Sequence, residues 1–225
     1  EAALEYSRMF KEKHSVNGLF VYTMREAKQS NPYITSLQLS LPNRNIGFAG
    51  RMAYNYDYRY MLELNFGYNG SERFAKNNRW GFFPSIGAGW MLSNEKFFKP
   101  LRSIFDQFKI KATYGMAGND QIGNNEDRFY YMSDVNNGAD NTVNWGERLD
   151  YNPGGGFYVN RYANDQIGWE KSYKLNTGIE FTTTFGLGGN IEYFHEKRDN
   201  ILLGRTIPST TGITQGVKAN LGEAK

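Results

Sequence analysis

Residues 46–68 alternate between apolar and polar side chains with a period of two, and this pattern restricts the possible folds more than any other feature of the sequence. Over 46–56, the even-numbered positions are mostly aliphatic or aromatic, whereas the odd-numbered positions are small, polar or charged. After a break at 57–59, the same alternation continues over 60–68. A period of two is typical of a β-strand with one apolar and one polar face, so the segment predicts an antiparallel hairpin.

The arms of this hairpin are long. Each has about a dozen residues, against ~5–6 in a typical globular strand and ~9–11 in a strand that crosses a bilayer at a tilt. The same alternation predicts about eight antiparallel strands in all, over 2–10, 14–24, 46–56, 60–68, 82–92, 108–116, 173–181 and 191–197. The sequence therefore predicts an all-β protein.

The polar face of the predicted sheet is charged, with Arg51, Glu63, Lys109, Lys111, Lys174 and Glu180 among its positions. These side chains must meet water, which excludes a sheet that is buried on both sides. The mean hydropathy of −0.65 is conventionally typical of a soluble protein. A membrane β-barrel gives a similar average, because lipid-facing and lumen-facing residues alternate along each strand. Hydropathy therefore does not exclude a membrane protein.

The connections between the predicted strands alternate in length. Breaks near Glu12, Tyr58, Lys96 and Gly186 are short or moderate, whereas long connections are predicted at 26–44, 70–79, 119–167 and beyond 204. Outer-membrane barrels have short periplasmic turns and longer external loops. The pattern thus favours an antiparallel transmembrane β-barrel fragment with long external loops at 26–44, 119–167 and 204–216.

The composition excludes several classes of function. Cysteine is absent, which removes disulfides, thiolate metal sites and cysteine nucleophiles, and there are only two histidines. The net charge of +3 is spread along the chain, so no nucleic-acid partner is expected. No serine lies in a nucleophile-elbow motif. We therefore expect neither an enzyme, nor a cofactor, nor a metal site.

The longest connection and its borders contain the candidate ligand-binding residues. An aromatic ring offers a flat apolar surface on which sugars and peptide side chains stack. Loop carboxylates are usually solvated, although they can also bind cations or ligands. The candidates are Asp120, Tyr130, Tyr131, Trp145, Tyr158 and Trp169. The alternative for the rings is that they pack the loop against itself or lie at a membrane boundary.

A tyrosine cluster surrounds the shortest predicted turn. It comprises Tyr54, Tyr56, Tyr58 and Tyr60. Amphipathic rings accumulate at the headgroup level of a membrane, so the cluster is typical of the aromatic girdle of a barrel. A cross-strand aromatic ladder in a globular sheet is the alternative.

Several short motifs follow one another from about residue 45 onward. They include Gly50-Arg51-Met52-Ala53-Tyr54, Arg59-Tyr60-Met61-Leu62-Glu63, Gly70-Ser71-Glu72-Arg73-Phe74, Trp80-Gly81-Phe82-Phe83-Pro84-Ser85, Gly89-Trp90, Glu95-Lys96-Phe97-Phe98, Lys111-Ala112-Thr113-Tyr114-Gly115, Gly118-Asn119-Asp120-Gln121-Ile122-Gly123, Trp169-Glu170-Lys171 and Pro208-Ser209-Thr210-Thr211-Gly212. In this order, they resemble the C-terminal barrel of SusC/RagA-type TonB-dependent outer-membrane transporters.

The resemblance implies that residues 1–225 are a partial TonB-dependent receptor barrel, about eight strands of a 22-stranded barrel in the outer membrane. Members of this family import oligosaccharides or peptides. A SusD-like surface lipoprotein and the TonB complex are their partners, and the barrel wall contacts outer-membrane lipid. The resemblance covers no plug domain and no residue that couples to TonB.

Three alternatives remain open at this point. One is a TonB-dependent receptor for another ligand, such as a metal chelate. Another is a complete eight-stranded barrel, although the many glycines on the polar face would leave its narrow interior underfilled. The third is a secreted or surface β-sandwich that binds glycan, in which the apolar faces would be buried between two sheets.

Overall fold

A computed structural model describes residues 1–28, 41–122, 128–139, 156–211 and 216–225. The strands are β1 (Ala2–Phe10), β2 (His14–Ala27), β3 (Asn43–Tyr56), β4 (Tyr60–Ser71), β5 (Trp80–Met91), β6 (Phe105–Asn119), β7 (Asp134–Ala139), β8 (Gly156–Arg161), β9 (Glu170–Thr183), β10 (Gly188–Arg205) and β11 (Val217–Ala224). Short 3-10 helices lie at Leu92–Asn94, Lys96–Ser103 and Ser209–Thr211. Among the described residues, no helix is long and apolar enough to cross a membrane.

Nine of the strands form one sheet in the order β1-β2-β3-β4-β5-β6-β9-β10-β11, and every neighbouring pair is antiparallel. Strands β7 and β8 form a separate two-stranded sheet. The predicted all-β antiparallel fold is confirmed. Each of the eight predicted strands is present, and β11 adds a ninth to the sheet.

The register keeps the apolar residues of neighbouring strands on one face. Met52 of β3 lies opposite Leu64 of β4, which in turn lies opposite Ile86 of β5. Ile86 lies opposite Tyr114 of β6. A slip of one residue would move each strand's apolar set to the other side of the sheet, so this pattern fixes the register. We call the side that carries these residues the apolar face, and the opposite side the polar face.

The apolar face is exposed across the centre of the sheet. Leu64 is 43%, Ile86 is 47% and Tyr114 is 52% accessible. In a β-sandwich these side chains would be packed against a second sheet at ~10 Å and would be buried. Within the described parts of the chain no second sheet covers the centre of this face, which contradicts the β-sandwich alternative.

The two ends of the sheet differ in the length of their connections. At one end, which we call the short-turn end, the connections are 11–13, 57–59, 92–104 and 184–187. At the other, the long-loop end, they are 28–42, 72–79, 120–169 and 206–216. The predicted alternation of short and long connections is thus present in the strand order, and the connection 92–104 is the longest at the short-turn end.

A small hydrophobic core lies at the long-loop end of the polar face. We call it the loop cluster; it consists of Phe74, Phe83, Ile122, Tyr130, Ile167 and Trp169. Phe83 projects from the polar face of β5, opposite Gly67. Two other glycines make room for its ring, because a Cβ at Gly118 would lie 1.9 Å from it and one at Gly81 would lie 2.3 Å from it. Glycine at these positions lets the strands carry a large buried ring.

Candidate functional site

The polar face forms an open cavity of about 680 Å³. Residues of β2 to β6 and of β9 line this cavity, and many of them have small or polar side chains. They include Asn17, Asn55, Glu63, Asn65, Ser85, Gly87, Gly89, Lys109, Lys111, Thr113, Gly115 and Lys174. Such a surface offers hydrogen-bond donors and acceptors to a hydrated ligand and leaves its centre open.

Ion pairs cross the strands on the polar face. Lys111 contacts Glu180 at 2.6 Å and also pairs with Glu192, while Lys109 lies 3.4 Å from Glu180. On β3 and β4, Arg51 pairs with Glu63 at 2.8 Å. These side chains remain partly exposed, so each pair contributes little to stability. Their main effect is to mix positive and negative groups across the cavity wall.

Potential metal ligands are dispersed. In the ranges that the structure describes, no three His, Asp or Glu side chains come together in a way that could hold a metal ion. The carboxylates of the polar face are instead engaged with lysine, arginine and asparagine, as with Glu192, which accepts hydrogen bonds from Asn176 and Asn190.

Trp169 and Tyr130 are buried members of the loop cluster, with accessibilities of 7% and 2%. The ring of Trp169 lies 5.4 Å from that of Phe74 and 5.1 Å from that of Phe83. Its Nε1 donates a hydrogen bond to the carbonyl of Arg79 at 3.2 Å. Protein therefore covers both rings, and the geometry favours the packing alternative for these two candidates over direct contact with a ligand.

Cations cover the ring of Tyr130. The guanidinium of Arg161 lies 5.2 Å from its centre, and the ammonium of Lys218 lies 5.4 Å from it. Asn164 adds to this junction, since its backbone N–H donates to the carbonyl of Tyr130 and its side chain donates to that of Lys218. The end of the 120–169 connection is thereby attached to β11.

Arg128 joins three connections at the long-loop end. Its guanidinium donates hydrogen bonds to the carbonyls of Leu41 at 3.1 Å and Pro42 at 2.8 Å, and it pairs with Glu72. It also lies over the ring of Phe129 at 4.8 Å. The side chain is nearly buried, so these bonds replace water. Sequence reasoning did not select Arg128, because a lone arginine in a loop has no pattern that predicts its partners.

The other loop candidates have different environments. Asp120 is half-buried and accepts a hydrogen bond from Asn45 at 3.3 Å. Tyr131 is half-buried, with its ring 6.0 Å from that of Phe129 in an edge arrangement. Tyr158 belongs to β8, and its side chain lies outside the described part of the structure, as does the whole of Trp145. The structure therefore brings Tyr130 and Trp169 together but leaves Asp120 and Tyr131 apart from their cluster.

Three of the four candidate girdle tyrosines form a continuous belt at the short-turn end of the apolar face. The Tyr54 hydroxyl hydrogen-bonds to Nδ1 of His14 at 2.8 Å. Tyr56 stacks on Tyr60 at 6.3 Å, and Tyr60 stacks on Trp90 at the same distance. Tyr58 lies in the turn itself, where it has a positive φ of 53° and is 57% exposed. Sequence reasoning missed His14 and Trp90, which come from strands on either side of the hairpin.

A polar network braces the short-turn end below this belt. Glu95, whose side chain is 11% exposed, accepts a hydrogen bond from Trp90 Nε1 at 3.2 Å and lies 3.6 Å from Arg59. Arg59 also donates to Asp57, and this hydrogen bond lowers the pKa of the Asp57 carboxyl. The pKa of Glu95 is lowered as well, first by the hydrogen bond from Tyr60, then by that from Trp90 and by the charge of Arg59.

The Glu95→Gln variant tests this network through its pH dependence. Because the folded pKa of Glu95 lies below its ordinary value, its contribution to stability is present above that ordinary value and is lost as the pH falls through the folded pKa. We expect the variant of the full-length receptor to melt at a lower temperature than wild type at pH 7, and the two melting temperatures to converge as the pH falls through the lowered pKa of Glu95. A constant difference across this range would show that the charge of Glu95 contributes nothing.

The fold and its surfaces define a class of protein. An open antiparallel sheet with an exposed apolar face, an aromatic belt at one end of that face and a polar concave side is a segment of the wall of a transmembrane β-barrel. A family model described as TonB-dependent receptor-like, β-barrel, matches residues 8–225. The chain belongs to this family.

Relatives agree with this assignment. TonB-dependent receptor SusC of Bacteroides thetaiotaomicron is 31% identical over 186 residues, which cover 80% of this chain and 17% of the relative. TonB-dependent receptor P39 of Formosa agariphila is 27% identical over an alignment of 249 residues, which covers 100% of this chain and 22% of the relative. The chain thus spans about a fifth of the length of these relatives.

Solved structures share the fold. The RagAB peptide importer in its open-open state superposes with a TM-score of 0.74 at 22% identity, over 98% of this chain and 25% of that chain. The siderophore receptor PirA from Pseudomonas aeruginosa gives 0.55 at 16% identity, over 99% of this chain and 36% of that chain. Together with SusC, the RagAB match confirms the SusC/RagA resemblance that the motifs indicated.

Proposed function

We propose that the full-length protein is an outer-membrane transporter of the SusC/RagA type, which imports oligosaccharides or peptides and of which this chain forms part of the barrel wall. The observation that carries the proposal is the two-faced sheet, whose apolar side suits lipid and whose polar side suits a hydrated passage. The names of the relatives support it, since SusC is a TonB-dependent receptor and RagAB is a peptide importer.

In this proposal, the short-turn end lies at the periplasmic side and the long-loop end lies outside the cell. A SusD-like lipoprotein covers the external end and delivers the substrate, and the TonB complex supplies energy from the periplasm. The polar face binds passing substrate only through hydrogen bonds and charge, with no bond made or broken, so the protein is a transporter and not an enzyme.

In this proposal, some residues of the external loops hold the loops in place and others contact the substrate. The loop cluster and Arg128 hold the connections in place, so Tyr130 and Trp169 position other residues and do not contact the substrate. Asp120 and Tyr131, which are both half-buried, and Trp145 and Tyr158 remain the candidates for contact. Carboxylates and aromatic rings are the groups that suit hydroxyl groups of sugars or amide groups of peptides.

A growth experiment tests the proposed function. The gene of the full-length receptor is deleted in its host, and growth is measured on panels of oligosaccharides and of peptides as the only carbon source. We expect loss of growth on members of one panel, rescue by the intact gene, and no rescue when the TonB complex is removed. If the deletion strain grew normally on both panels but took up a metal chelate poorly, the result would contradict the proposal. It would instead favour a TonB-dependent receptor for a metal chelate.

Two loop substitutions test substrate contact. In the full-length receptor, Tyr131→Ala and Trp145→Ala are each expected to reduce uptake by roughly 2- to 10-fold, which corresponds to ~0.5–1.5 kcal/mol of lost ring contact. The amount of receptor at the cell surface should stay at the wild-type level, as measured by surface labelling. If surface abundance falls in parallel with uptake, the two rings have a structural role instead.

A further inference from the structure

The 3-10 helix Lys96–Ser103 packs on the apolar face at the short-turn end. The ring of Phe97 lies 6.2 Å from that of Trp90, in an edge arrangement. Phe98 is 5% exposed and its ring lies 5.6 Å from that of Phe108. Trp90 and Phe108 both belong to the apolar face, since they lie opposite Tyr60 and Phe181 in the register. The helix therefore covers the outside of the wall at the level of the aromatic belt.

The free side of this helix is apolar and continues the surface that the wall presents to lipid. Phe97 is 62% exposed, Leu101 is 46% exposed, and Ile104, which directly follows the helix, is 48% exposed. The neighbouring wall residues Trp90 and Ile110 are 36% and 39% exposed. Because these patches adjoin, any lipid that contacts the apolar face at this end also reaches the free side of the helix.

The helix is also basic. Its charged residues are Lys96, Lys99 and Arg102, with no acidic residue between 96 and 103. Arg102 donates from Nε to the carbonyl of Ser93 at 2.7 Å, so it serves the local fold. Lys96 and Lys99 are exposed and form no ion pair or hydrogen bond with any other described residue.

The described acidic residues next to the helix form no ion pair with Lys96 or Lys99. Glu95 precedes the helix and is directed to Arg59, Tyr60 and Trp90. Asp106 follows it at the start of β6 and lies in the same hollow as Arg102. Two free ammonium groups above an exposed apolar patch are the features of an interfacial amphipathic segment.

We propose that the helix Lys96–Ser103 binds the headgroups of anionic glycerophospholipids in the periplasmic leaflet. Lys96 and Lys99 contact the phosphate oxygens, and Phe97, Leu101 and Ile104 contact the upper parts of the acyl chains. The proposal rests on the proposed function for its orientation in the membrane. Charge complementarity and the continuity of the helix with the lipid-facing wall identify the occupant as lipid.

Lipid titrations of the full-length receptor test this site. The purified receptor in detergent is titrated with phosphatidylglycerol or with phosphatidylethanolamine, and bound lipid is counted by native mass spectrometry. Wild type should bind phosphatidylglycerol more tightly. Each lysine near a membrane surface contributes roughly fivefold to anionic lipid binding, so Lys96→Gln/Lys99→Gln should weaken phosphatidylglycerol binding by at least about 10-fold and leave phosphatidylethanolamine binding unchanged.

A matched control removes two exposed lysines at the other end of the sheet. Lys28→Gln/Lys76→Gln changes the net charge equally and should bind both lipids as wild type does. Phe97→Ser should weaken binding of both lipids, because it removes apolar contact without changing charge. Equal binding of the two lipids by wild type, or wild-type binding of phosphatidylglycerol by Lys96→Gln/Lys99→Gln, would overturn the proposal.

Transport measured on the same variants separates this site from the proposed function. A preference for phosphatidylglycerol in a receptor that imports neither oligosaccharides nor peptides would contradict the proposed function alone. Normal import by a receptor with no lipid preference would contradict the lipid site alone.

Discussion

Leu64→Arg is expected to reduce assembly of the full-length receptor in the outer membrane severely. Leu64 lies near the middle of β4, between Met52 and Ile86 of the neighbouring strands, and its side chain is directed to the apolar face. If this face meets hydrocarbon, an arginine there carries a cost of ~2–4 kcal/mol at the bilayer midplane. The measurement is the fraction of receptor that resists unfolding by detergent without heating, in isolated outer membranes.

The neighbouring position supplies the control. Asn65 follows Leu64 in the chain, so its side chain is directed to the polar face, where it donates to Glu63 at 2.9 Å. Asn65→Arg introduces the same charge and volume next to a carboxylate and water, and assembly should stay near the wild-type level. Equal loss at both positions would indicate general intolerance of β4, and equal tolerance would contradict a lipid-facing wall.

Trp169→Ala is expected to have the second large effect, on the loops and not on the wall. Removing a buried tryptophan from a core costs ~3–5 kcal/mol, because apolar contacts are lost and a cavity remains. Here, the contacts are with Phe74 and Phe83. We expect the 72–79 and 120–169 connections to become sensitive to external protease on intact cells.

Trp169→Phe is expected to have an intermediate effect on the loops. Phenylalanine keeps most of the ring contact but loses the hydrogen bond from Nε1 to Arg79, which is worth ~0.5–1.5 kcal/mol. Protease sensitivity should therefore lie between those of wild type and Trp169→Ala. Tyr131→Ala, at a half-buried position, should change it little. If Trp169→Ala were as resistant as Tyr131→Ala, the loop cluster would not be a core.

The wall could be predicted from the sequence because each strand carries its own two-faced pattern. In β3 and β4, the alternation of apolar and polar residues alone predicted the strands, their two faces and the turn between them. The alternation also fixes the register, because a shift of one residue would exchange the two faces. Strand β10 is a weaker case. Phe194 lies opposite Asn176 on the polar face and is 78% exposed, so the alternation of β10 is interrupted by an aromatic residue on the polar side.

The arrangement of the loops could not be predicted in the same way. Arg128 finds its partners at 41–42 and Glu72, far away in the chain, and no local period encodes such contacts. Likewise, an aromatic ring such as Trp169 looks the same in sequence whether it binds a sugar or fills a core. Strands β7 and β8 were missed because they are short and rich in glycine and asparagine, as turns are.

The tyrosine belt at the short-turn end is intermediate between these two cases, because only part of it could be predicted from the sequence. Three of its tyrosines follow from the hairpin pattern, but the belt is completed by His14 and Trp90, which only the pairing of β2, β3, β4 and β5 brings alongside. Tyr58 differs because it occupies the turn, where its backbone is left-handed and its side chain leaves the face of the sheet.

Spin-label accessibility along β4 tests the two-faced wall most directly. Single cysteines at positions 62–67 of the full-length receptor carry a nitroxide, and collisions with oxygen, which concentrates in lipid, are compared with collisions with a water-soluble nickel complex. We expect oxygen to dominate at 62, 64 and 66 and nickel at 63, 65 and 67. Loss of this period of two, or even-numbered positions shielded from both reagents as in a dry interior, would contradict the account.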